Sequence, residues 1–95
     1  MDYTEIDNYI DKINWSTDDE RFVLNLPVAQ RSYLAKRISN YDGILVDLSM
    51  DREISVRLGV IENPNTPPRI IERLSLNDKD EIVRLAASRR LEENR

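Results

Sequence analysis

The chain has 95 residues, room for one small domain and not for two. Its 14 Lys and Arg against 18 Asp and Glu give a net charge of −4, with 34% of residues charged and 40% hydrophobic. That is lean for a globular domain, but charge of mixed sign still permits a packed core. Cys and His are both absent, which excludes disulfides, thiolate nucleophiles, the Cys- and His-ligated metal centres and the usual general base.

Two glycines cannot build a Gly-rich phosphate loop. No apolar run approaches the 18 residues of a membrane span, and no signal peptide is visible, so a cytoplasmic protein without membrane contact is expected. Charge is placed unevenly. Residues 1–20 hold seven acids against Lys12 alone, whereas residues 51–95 hold nine acids and nine bases. An acidic end repels nucleic acid and attracts basic partners, although a solvated helix face is its simpler explanation.

Apolar residues recur at helical spacing almost throughout. Tyr3, Ile6, Ile10 and Ile13 form one stripe, predicting a first helix capped by Asp2 or Thr4. Ser16 or Thr17 caps a second, opening with Asp18, Asp19 and Glu20 at the positive end of its dipole. Pro27 interrupts that helix and starts a third, to about Ser39, carrying Val28, Tyr33, Leu34 and Ile38. Asn40 to Gly43 reads as a turn. A short helix is expected from Ile44 to Met50, and another from Asp51 to about Glu62. The segment Asn63 to Pro68 breaks the pattern, with Thr66 as cap and a proline in the first turn of the next helix, which ends near Leu76. Asn77 or Asp78 caps the last helix, which runs to roughly Glu92. No alternation is long enough for a strand.

A repeat lies beneath this order. Leu48-Ser49-Met50-Asp51 followed by Val56-Arg57-Leu58 recurs as Leu74-Ser75-Leu76-Asn77-Asp78 followed by Val83-Arg84-Leu85. In both copies the aspartate precedes the arginine by six positions, and the copies lie 26 to 27 residues apart. Upstream, Asn40 with Ile44, Leu45 and Leu48 resembles Asn63 with Ile70, Ile71 and Leu74. The division is therefore acidic N-terminal helices over 1–26, a degenerate repeat over 27–50, a repeat over 51–76 and a C-terminal repeat over 77–95. Three units are about the minimum for a stable stack.

The helix around Arg57 is apolar on two sides, Ile54, Leu58 and Ile61 on one and Val56 and Val60 on the other, as an inner solenoid helix is. Arg57 falls between the stripes and so needs an acidic or carbonyl partner. Either Arg57 pairs with Asp78 of the next unit, or each arginine pairs with the aspartate at its own helix start. Asp51, Arg57, Asp78 and Arg84 are thus candidate structural ion pairs.

Residues 44–92, with Asp51, Val56, Arg57, Asn63-Pro64, Thr66-Pro67, Leu74, Asp78, Val83 and Arg84 in register, resemble the leucine-rich repeat variant, a divergent relative of the HEAT-like helical repeats. Residues 1–43 match it poorly. The resemblance implies an all-α, short right-handed solenoid of paired helices with the proline loop at a corner. Some proteins of this kind carry a Cys-rich iron–sulfur module, which a chain without Cys does not have. Repeat resemblance informs fold more than function.

The function expected first is a non-enzymatic protein–protein interaction module without a cofactor. One alternative is a small acidic inhibitor of the phage or mobile-element type that mimics nucleic acid. Another is an arginine-mediated nucleic-acid binder, disfavoured by a pI near 4.8 and by glutamates beside the arginines. Trp15 and Tyr41 are candidate partner anchors, Trp15 being expected over the start of the core and Tyr41 in the exposed turn. On the last helix Ile82, Val83, Ala86, Ala87 and Leu91, with Leu85 further round, span a broad apolar arc. With only Glu92 to Arg95 following, a contact there, homodimeric or with a partner, is expected, and Leu91, Arg89 and Arg90 belong to it.

Overall fold

A computed structural model describes residues 3–93, which form seven helices and, among the described residues, no strand. The helices are α1 (Thr4–Asp7), α2 (Thr17–Leu24), α3 (Val28–Ala35), α4 (Asp42–Leu48), α5 (Ile54–Glu62), α6 (Pro68–Asn77) and α7 (Glu81–Glu93). The all-α expectation therefore holds. Among the described residues no helix is long and apolar enough to cross a membrane.

Helix α2 begins as its sequence suggests. The Ser16 hydroxyl accepts the Asp19 N–H while the Asp19 carboxylate accepts the Ser16 N–H, a reciprocal capping box. Helix α1 departs from expectation. It stops at Asp7 and continues only as turns, leaving Ile13 75% exposed. Past Asp7 the N–H groups of Asn8, Tyr9 and Ile10 donate three residues back, to Glu5 O, Ile6 O and Asp7 O, so the chain winds on as tighter turns. After them Ile10 O accepts the N–H and hydroxyl of Ser39, Asp11 O accepts from Asn40, and Lys12 O accepts from the Trp15 indole. Thr4 is not its cap, since Tyr3 holds that place without a side-chain bond, and Asp2 lies outside the described residues.

Other boundaries shift for similar reasons. Helix α3 ends at Ala35 rather than Ser39, and α4 already begins at Asp42, inside the expected turn. Asp51 does not open α5. Its carboxylate accepts the Glu53 N–H, so the chain bends first and α5 starts at Ile54. Asp78 likewise accepts from the Asp80 N–H, and α7 starts at Glu81. Thr66 does not cap α6. Its hydroxyl donates back to Val60 O, and Pro67 stands at the N-cap instead.

The core is continuous, with Leu34, Ile38, Ile44, Leu45, Leu48, Val56, Val60, Ile71, Leu74 and Val83 inaccessible or nearly so. Ile44, Leu45 and Leu48 of α4 and their counterparts Ile70, Ile71 and Leu74 of α6 are all buried. Helix α5 packs on α3, α4 and α7, which is why it is apolar on both sides.

The α3–α5 seam is tight at one point. A Cβ on Gly59 would lie 3.0 Å from both the Ala35 Cβ and the Ser32 carbonyl. The carbonyl belongs to a helix backbone and cannot yield. Gly59→Ala should therefore lose more to overpacking than the roughly 1 kcal/mol it gains in helix propensity. A urea denaturation midpoint below that of the parent protein is expected.

The Ser16 N–H, helped by the Ser16 hydroxyl and Lys12 against the opposing effect of burial, holds the Asp19 carboxyl below its ordinary range. A depressed folded-state pKa contributes stability above the unfolded value of about 3.9 and loses it as pH falls further. The stability difference between the parent and Asp19→Asn should therefore shrink as pH is lowered from about 3.9 down through the depressed folded-state pKa of Asp19, which acid titrations at fixed urea would measure.

Candidate functional site

Three arginines, Arg31 on α3, Arg57 on α5 and Arg84 on α7, occupy corresponding places at separations of 26 and 27 residues. Each Nη1 donates to a backbone carbonyl just ahead of its own helix: Leu26 O at 2.5 Å, Asp51 O at 2.7 Å and Asp78 O at 2.6 Å. For the first two, Nε and Nη2 reach forward in a bidentate fork to the aspartate in the turn before the neighbouring helix, α5 for Arg31 and α7 for Arg57. Arg31 holds Asp51 at 2.9 and 3.1 Å, and Arg57 holds Asp78 at 2.9 and 3.2 Å. Arg57 Nη2 also reaches Asp80.

The two arrangements that the sequence suggests are thus combined. The carboxylate comes from the turn before the neighbouring helix, while the turn before the arginine's own helix supplies a carbonyl. Burial opposes the charge on Arg57, but Asp78 and Asp80 outweigh it and hold the guanidinium above its ordinary pKa. Arg57 side-chain exposure is 3% and that of Asp78 is 5%, so neither has water as a substitute partner.

A second set of bonds closes the helix ends. The Asn63 amide, fully buried, donates to Ala35 O, at the end of α3, and to Ile38 O just beyond it. Twenty-seven residues later Arg90 donates to Ile61 O and Asn63 O at the end of α5. Arg90 is therefore tied to the backbone.

The seam between α5 and α7 differs from that between α3 and α5. Ala86 stands where α5 has Gly59, and Ile61 where α3 has Ala35. The bulkier pair prevents the close approach seen at Gly59, and the two helices meet less extensively. A groove of about 560 Å³ lies between them, floored by Ile61, Pro64 and Ala86 and edged by Glu62, Arg89, Arg90 and Glu93.

The apolar arc of α7 is split. Val83 and Ala87 are fully buried, Ala86 and Leu91 are half-buried, and Ile82 and Leu85 are 63% and 56% exposed. Trp15, just ahead of α2, and Tyr41, just ahead of α4, come together. Their rings stack at 5.3 Å, with Tyr9 on the far side of Trp15 at 5.5 Å. Tyr41 also lies over Gly43, where a Cβ would come within 2.7 Å of its ring. Both aromatic residues are half-buried, and burial followed by Glu20 raises the pKa of the Tyr41 phenol. Among the described residues no group of carboxylates is placed to hold a metal ion. No protein-family model, curated protein or solved structure matches the chain.

Arg31 is the residue that the six-position spacing misses. Leu26, not an aspartate, precedes it, and by five positions rather than six. The shared contact is a carbonyl, which any residue supplies, so the detectable signal is the 26-residue interval back from Arg57.

Arg57→Ala should destabilise the protein by about 3–5 kcal/mol, since it leaves Asp78 buried without its partner. That is a large part of the roughly 5–14 kcal/mol available to a domain of this size. Chemical denaturation followed by circular dichroism would measure it, and an unchanged midpoint would contradict the structural role.

Proposed function

We propose that this protein is a non-enzymatic protein–protein interaction module: a short right-handed solenoid of helical repeats of the leucine-rich-repeat-variant, HEAT-like kind. The observation that carries this reading is the arginine rung recurring on α3, α5 and α7 with the same carbonyl contact each time. A rung that joins each unit to the next is what stacked repeats require, because such units are stabilised chiefly by their neighbours. Stacked repeats present extended surfaces to partners, and α7 keeps Ile82 and Leu85 in solvent on such a surface.

The acidic-inhibitor alternative has less support. A mimic of nucleic acid needs free carboxylates. Here Asp7 accepts from Tyr33, Asp11 from Ser39, Asp18 pairs with Arg21, and Asp19 is shared by its capping box and Lys12. Arginine-mediated nucleic-acid binding is disfavoured by the pI near 4.8; of the C-terminal arginines that could serve it, Arg73 donates to Ser49 and Arg90 to Asn63 O, while Arg52, Arg69 and Arg89 are exposed.

Affinity purification from the native host, with and without nuclease, tests the reading by mass spectrometry. One protein recovered in near-stoichiometric amount and retained after nuclease is the expected result. Recovery that disappears with nuclease would replace the module by a nucleic-acid binder.

A further inference from the structure

The outer face of α7 repeats the face that α3 turns toward α5. On α3, Arg31 holds Asp51, the Ser32 hydroxyl donates to Ser55 O, Ala35 packs at Gly59, and Lys36 pairs with Glu62 at 3.4 Å. Fifty-three residues later α7 carries Arg84, Leu85, Ser88 and Arg89 in the same order and spacing. Leu85, Ser88 and Arg89 are exposed. Arg84 keeps its Nη1 bond to Asp78 O, while Nε and Nη2, the two atoms that grip carboxylates in Arg31 and Arg57, have no partner among the described residues.

We propose that this face docks a protein partner through a helical segment built like residues 51–62. That segment carries an aspartate in the turn before a helix and an acid eleven positions later. The aspartate seats in the Arg84 fork, the acid meets Arg89, and the partner helix covers Leu85. This rests on the interaction-module reading and names the chemistry of its partner. The charge pattern selects the occupant, because α3 presents cations at these two positions and is met by Asp51 and Glu62. A second folded copy does not fit. Asp51 and Asp78, the described aspartates set in such turns, are already held by Arg31 and Arg57. A fork is required rather than a point charge, because a guanidinium matches both carboxylate oxygens and an ammonium does not.

The test titrates a fluorescein-labelled synthetic peptide of residues 49–63 against the full chain, followed by anisotropy and by the Arg84 Nε–H resonance. The expected result is saturable binding that shifts this resonance. Binding should weaken at least tenfold for the Asp51→Asn peptide and for Arg84→Lys protein, which retains the charge. Circular dichroism checks that Arg84→Lys keeps its helix content, and Leu85→Glu serves as an independent variant expected to weaken binding as much.

No binding at millimolar peptide, or equal binding by the Asp51→Asn peptide, overturns the proposal. So does binding indifferent to Arg84→Lys and Leu85→Glu, since the peptide would then be replacing the chain's own α5. Self-association in sedimentation that Arg84→Lys abolishes would also overturn it, in favour of a second copy. Failure of the peptide alongside a nuclease-resistant protein partner would remove this face and leave the module reading intact.

Discussion

The guanidinium of Arg57 is the joint on which the arrangement of helices depends. It sits inside the protein, between the turn that opens α5 and the turn that opens α7, and touches Asp51, Asp78 and Asp80 at once. Two charges taken out of water lose more in hydration than they regain from each other unless geometry and further hydrogen bonds make up the difference. Here the fork satisfies both oxygens of Asp78, and the remaining Nη1 finds a carbonyl. Asp78 in turn accepts the Asp80 N–H, so the acceptor is held as firmly as the donor. The rung therefore fixes where the turn before α7 lies relative to α5, something apolar packing alone specifies loosely because hydrophobic contact has no direction.

With that register set, small differences between seams have visible consequences. Gly59 lets α5 lie directly against Ala35 and the Ser32 carbonyl. One methyl more at Ala86, opposite an isoleucine instead of an alanine, and the next seam opens into a groove. The helix ends tolerate this because their closure is adapted too. The short Asn63 amide serves the tight seam and the long Arg90 side chain spans the wider one, each reaching carbonyls at the end of the preceding helix. Both satisfy buried acceptors that would otherwise destabilise the fold.

Much of this was legible wherever the cause is local. The cap of α2, read as Ser16 or Thr17 and found at Ser16, the proline starts of α3 and α6, and the two-sided apolarity of α5 all follow from neighbours in sequence. The Asp51, Arg57, Asp78 and Arg84 set stood out because both partners recur at fixed intervals. What escaped depends on contacts across the chain. The stripe Ile6, Ile10 and Ile13 looks like a longer helix, but after Asp7 the chain tightens into turns bonded three residues back, and Ser39 and Asn40 tie Ile10 O and Asp11 O from across the chain. Asn63 looks like a loop residue until α3 is placed beneath it. Trp15 and Tyr41 are far apart in sequence, and nothing local announces that they stack.

Arg57 and Arg84 show that what covers an arginine decides what it does. They share a residue type, a place in the helix and the same carbonyl contact. Arg57 is covered on both sides, so its carboxylates are a condition of folding and removing one leaves a buried charge. Arg84 is only half-buried. Water reaches the edge that no helix covers, so the same fork stands there without the desolvation penalty that Arg57 offsets with Asp78 and Asp80. That edge keeps the geometry of the Arg57 contact. A carboxylate arriving at Arg84 would meet a guanidinium already held by Asp78 O, so little side-chain freedom remains to be lost on contact. That preorganisation separates this arginine from an ordinary exposed one, whose ion pairs contribute little because both long side chains must first be ordered.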